Sequence, residues 1–208
     1  MKKTLFLIVC LMAMSQFATA QTAIEKIRKH YNDVKQLTTT MADPYKFPAE
    51  MDENHSTVPS YYHLNIEENY PGTGMHHENV FIYHDEVEGR AEEVFPPKRI
   101  SFVTVKYNFA ARNFYEEYLY DKSGRPEFIY VTMPEDADFQ DTEYRFYFSS
   151  GKLIKAIVKT RSSENADFKD VHNAASVPAK YNSNYQLFLK KADQYKKLFQ
   201  AVYAAQRF

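Results

Sequence analysis

Tryptophan is absent from this 208-residue chain, cysteine occurs once, at Cys10, and glycine only five times. A single cysteine allows no intramolecular disulfide and no multi-thiolate zinc site, so the fold has to be held by its core. With so little glycine there is no phosphate-cradling glycine loop and no Gly-x-Ser-x-Gly nucleophile elbow, and no His-Glu-x-x-His pair occurs either. Lack of tryptophan removes the ring best suited to stacking on sugars and leaves that role to tyrosine and phenylalanine. Net charge is also missing: 26 basic and 27 acidic residues give −1. A chain so balanced does not present the clustered basic surface of a nucleic-acid binder, and no such partner is expected.

Long apolar runs are equally scarce. The longest, Leu5 to Met14, falls short of the roughly 20 residues that span a bilayer, so no membrane insertion is expected. It follows Lys2 and Lys3 and precedes Ala18-Thr19-Ala20. A basic start, a short apolar centre and a small-x-small end form the pattern of a signal peptide. The sequence therefore divides into a leader, residues 1–20, and one domain, residues 21–208, located in the periplasm or outside the cell. Cys10 would leave with the leader, and thiol catalysis with it.

What the chain has in quantity is aromatic residues, 17 tyrosines and 16 phenylalanines. Thr22-Ala23-Ile24-Glu25 has the form of a helix-opening capping box, and Ile24, Ile27, Tyr31, Val34, Leu37 and Met41 follow at helical spacing. Ser183-Asn184-Tyr185-Gln186 repeats the capping pattern before a C-terminal apolar line of Phe188, Ala192, Tyr195, Phe199 and Val202. Between them lie about seven alternating segments separated by turn residues. Tyr118 to Val131 and Tyr144 to Val158 read as two hairpins turning at Gly124 and Gly151. Residues 42–59 and 161–181 read as long polar loops. The fold class that follows is α+β, an antiparallel, curved sheet of about seven strands with the N- and C-terminal helices packed on one face.

A sheet covered on one side leaves the other free. Tyr118, Tyr120, Tyr130, Tyr144, Arg145 and Tyr147 are the candidate binding residues of such a face, because tyrosine brings contact area and a hydroxyl at low entropy cost. His63, His77 and His84, from a histidine-rich stretch, are the candidate metal ligands, with Glu78 or Asp85 as acidic partners. Glu116 and Glu117 are the carboxylates a glycosidase reading would test, but neighbours in a strand point to opposite sides and cannot flank one bond. They read as exposed sheet charges. No catalytic residue and no cofactor is called for.

Four stretches carry a resemblance: Ile24 to Lys35; Tyr70-Pro71-Gly72-Thr73-Gly74 with His76-His77-Glu78 and Phe81-Ile82-Tyr83; Phe114 to Asp121; and Tyr144 to Leu153. Together the chain resembles a family of exported proteins of unknown function from Gram-negative anaerobes. The resemblance implies export and an α+β fold and transfers no site. The functional expectation is a non-enzymatic exported binding protein for a protein, peptide, glycan or small ligand. The alternative is a secreted hydrolase of glycans or peptides, metal-assisted through the histidine-rich turn.

Overall fold

The computed structural model describes residues 2–39, 60–87, 96–134, 140–163 and 165–206, with side chains in the first helix described for 20–38. The expected loop at 42–59, Met41, Gly89 and His55 lie outside the described residues. Element order is α1 (Lys2–Thr39), β1 (Ser60–Tyr70), β2 (Gly74–Glu86), β3 (Lys98–Phe109), β4 (Arg112–Tyr120), β5 (Pro126–Met133), β6 (Asp141–Ser149), β7 (Lys152–Arg161), β8 (Lys169–Ala174) and α2 (Ala179–Ala205). The strands form one open antiparallel meander in which each pairs with its sequence neighbours. This is the expected α+β class, with a helix at each end of the chain and a curved sheet between.

Alternation in the central strands explains why the sheet is covered on both faces. Tyr118, Ile129, Phe146 and Ala156 stand opposite one another across β4 to β7 and point toward α2. Leu119, Phe128 and Tyr147 alternate with them and, with Ile157, pack toward α1. The expectation that both helices share one face therefore does not hold. Two apolar faces must both leave water, and each takes one helix.

On the α2 side Phe188, Ala192, Tyr195 and Phe199 are buried, as their spacing predicts. Full burial of rings such as Phe146 and Phe188 contributes on the order of 2 kcal/mol each. On the α1 side Ile24 and Ile27 are buried, Tyr31 and Val34 are partly covered, and Leu37 is exposed. Over residues 20–38, α1 buries fewer side chains than α2 does.

Turn chemistry places the hairpins. Ser150 and Gly151 both have positive φ, 51° and 78°, the two-residue turn whose twist matches antiparallel strands. In the β4–β5 loop, the Asp121 carboxylate accepts from the amides of Ser123 and Arg125 at 2.8 and 3.0 Å. Curvature has a local source as well. Register shifts at Tyr83/His84, Leu119/Tyr120 and Tyr147/Phe148 fall along one line across the sheet, where Tyr83, Phe102, Leu119, Phe128 and Tyr147 are successive partners. Each bulge bends its strand and increases twist, so a row of them forms a crease.

Three local expectations are corrected. Helix α1 runs through Thr22 to Glu25, and Glu25 accepts from Gln21 one turn back at 3.2 Å, so in this chain the first capping box lies within a helix. Helix α2 starts a turn before Ser183, with Pro178 at the N-cap position. Proline at a helix entrance forfeits only an amide that has no intrahelical partner. The expected polar loop at 161–181 contains edge strand β8, whose pairing with β7 the alternation did not reveal.

Candidate functional site

Of the six candidate binding residues, the structure separates three from three. Tyr118, Tyr120 and Tyr144 lie beneath α2 and are buried. Their hydroxyls are spent internally: Tyr118 donates to Glu116 at 2.5 Å, Tyr120 to the Ala192 carbonyl at 2.7 Å, and Tyr144 accepts from Asn184 at 2.7 Å. These three are core residues, corrected from the expected free face. Tyr130, Arg145 and Tyr147 have the opposite parity and line a cleft of about 640 Å³ between α1 and strands β4 to β6.

The cleft is built from two directions. From α1 come Arg28, Tyr31, Asn32 and Lys35, at helical spacing on one side of the helix; from the sheet come Tyr115, Glu117 and Phe128 beside the three residues just named. Direct cross-strand pairing sets Glu117 opposite Tyr130 and Tyr130 opposite Arg145. Glu117 is 1 % exposed. It accepts from the Tyr31 hydroxyl at 2.5 Å, and from Tyr115 and the Lys35 ammonium. Glu143, also buried, accepts from Arg145 Nε at 2.8 Å and from the Tyr130 hydroxyl at 3.1 Å.

Carboxylates and cations are layered. The side chains of Glu117 and Glu143 are 1 % and 6 % exposed, whereas those of Lys35 and Arg145 are 32 % and 35 % exposed. Each cation lies near a tyrosine ring: Arg28 is 5.6 Å from the centre of Tyr147, Arg145 5.6 Å from Tyr130, and Lys35 5.2 Å from Tyr115. Burial and the adjoining Glu117 hold the phenols of Tyr31 and Tyr115 above the ordinary tyrosine range. Burial and Glu143 do the same for Tyr130. All three therefore stay protonated as donors at neutral pH.

Sequence reasoning missed the helix wall of this cleft. Arg28, Tyr31, Asn32 and Lys35 recur at three- and four-residue steps, and that second stripe beside the apolar line was the available signal. It also placed Glu116 and Glu117 at the surface, where acidic residues ordinarily sit. Both are buried.

The metal candidates do not converge. His63 stacks on Phe81, with ring centres 4.2 Å apart, and meets Asn79 at 3.2 Å. His77 is on the same face four residues away from Phe81 and lies 3.5 Å from Glu67. His84 is on the other face, buried against Tyr62 and Phe199. Burial, with Lys98 adding to it, lowers its pKa to about 4. Among the described residues no three His, Cys, Asp or Glu side chains form a cluster that could hold a metal ion.

No helix among the described residues is long and apolar enough to cross a membrane. In comparisons with known proteins, no family model, no curated protein and no solved structure matches this chain.

Proposed function

We propose that this protein is a non-enzymatic binding protein, exported to the periplasm or cell exterior, whose ligand occupies the cleft between α1 and strands β4 to β6. The observation that carries the reading is the composition of that cleft. A space of about 640 Å³ is in the size range of small-molecule sites, and its lining mixes ring surface with a few convergent polar groups. The large side chains on the α2 side, by contrast, are consumed by packing. Small ligands suit the space better than a folded partner, because α1 limits access to the sheet. The carboxylates at the base are already satisfied by hydroxyls and cations, an arrangement suited to holding the walls in place.

A fragment collection of anionic, neutral and cationic compounds, screened by ligand-observed NMR against the native protein and Asn32→Trp, tests this. Asn32 is exposed on α1 and lines the cleft, so an indole there fills space without disturbing the core. The proposal predicts hits that Asn32→Trp abolishes. Hits unaffected by the substitution, or none at all, would contradict it.

A further inference from the structure

Resting on that cleft reading, we infer that the ligand is an oxyanion, a carboxylate or a phosphate ester, attached to an apolar or aromatic body. Three cationic side chains, Arg28, Lys35 and Arg145, line one cleft. Among the described residues that line the cleft Glu117 is the only acidic one, and it is shielded by Tyr31, Tyr115 and Lys35. Glu143 is committed to Arg145 and Tyr130. An approaching molecule meets the positively charged layer before either carboxylate.

The cations differ in what they have left to offer. Arg145 uses Nε on Glu143, a bond that does not engage the four terminal N–H donors of its guanidinium. Among the described residues Arg28 forms no ion pair with a carboxylate, and its guanidinium lies 5.6 Å from the centre of the Tyr147 ring. Both guanidinium groups sit by rings on adjoining cross-strand pairs, Phe128 with Tyr147 and Tyr130 with Arg145. A planar fork backed by an aromatic ring is well suited to carboxylate or phosphate, which it can bind through two parallel hydrogen bonds. The ring surfaces of Tyr147 and Phe128 supply the apolar part of the site. A cationic ligand would face three like charges, and an uncharged one would leave Arg28 desolvated without compensation.

Calorimetric titration of the full chain with benzoate, phenyl phosphate, benzyl alcohol and benzylamine tests the inference. One or both anions should bind, the stronger showing whether carboxylate or phosphate is preferred, and binding should weaken as salt rises. Arg28→Gln, on an exposed helix position, should weaken the bound anion about tenfold, and Arg145→Lys should weaken it while retaining the charge. Equal binding of benzyl alcohol, or anion binding unchanged in Arg28→Gln, would overturn the oxyanion assignment. So would the absence of anion binding. In each of those cases the fragment screen with Asn32→Trp still reads separately whether the cleft is a ligand site.

Discussion

Glu116 and Glu117 are consecutive residues of β4, both buried, and they face opposite sides of the sheet, where each is held by a lysine from a different helix. Glu116 accepts from Lys191 of α2 and from the hydroxyls of Tyr107 and Tyr118. Glu117 accepts from Lys35 of α1 and from Tyr31 and Tyr115. One lysine and two tyrosines per carboxylate are thus repeated on the two faces, pinning both helices to the same point of the same strand.

The pair on the α2 side lends itself to a double-mutant cycle. Glu116 lies between Val105 and Val131 in the cross-strand ladder, so removing its cation leaves a buried charge held only by the hydroxyls of Tyr107 and Tyr118. Lys191→Met alone should destabilise by about 3 kcal/mol, whereas adding Glu116→Leu should recover much of that loss. Urea unfolding of the two single variants and the double variant measures it. A double variant as unstable as the sum of the singles would show that the lysine and the carboxylate are not coupled.

Two histidines should give stability opposite pH slopes. The folded-state pKa of His84, about 4, lies below its unfolded value near 6.5, so the unfolded chain binds the extra proton between them. Its contribution is present above pH 6.5 and falls as the pH drops toward 4, at up to about 1.4 kcal/mol per pH unit. His84→Phe should flatten that acid limb in thermal melts.

His30 behaves in the other direction. Its hydrogen bond to Glu127, 2.7 Å long, raises its pKa against the opposing effect of burial, with Asp85 and Asp33 adding to the rise. The stabilisation is complete below the unfolded value near 6.5 and is lost as pH climbs through the raised folded value. Because Glu127 is the extra residue of the β4–β5 bulge and His30 is on α1, the loss should appear at alkaline pH as lower amide protection factors in α1, after correction for the base-catalysed intrinsic exchange rate. His30→Gln should remove this pH dependence of the protection factors.

The β3–β4 turn contains Ala110 at a φ of 53°, where a side chain is disfavoured. Ala110→Gly should raise the melting temperature, by a gain of up to about 1 kcal/mol after the entropy cost of glycine is subtracted. An unchanged or lower melting temperature would mean that the turn carries no strain.

Much of this architecture was legible because turn residues such as Gly124 and Gly151 separate β4 to β7 and α2 carries Phe188, Ala192, Tyr195 and Phe199 at regular spacing. Parity was the harder part. With large residues at every position of Tyr118-Leu119-Tyr120, nothing in the sequence says that two faces are buried, and so the candidate tyrosines were drawn from both. Strand β8 was hidden by its polar sequence, Lys169 to Ala174, which suits a short edge. The burial of Glu116 and Glu117 depends on lysines and tyrosines as far as 86 positions away, a convergence that only the folded chain brings about.

Whether the α1 cleft binds an oxyanion is read from backbone amide shifts in ¹H–¹⁵N NMR spectra as phenyl phosphate and benzoate are added. Saturable changes are expected at Arg28, Tyr31 and Lys35 of α1 and at Tyr115, Tyr130, Arg145 and Tyr147 of the sheet, with little change along α2. Saturable changes centred on α2 or the far ends of the sheet, or no saturable change at all, would contradict it.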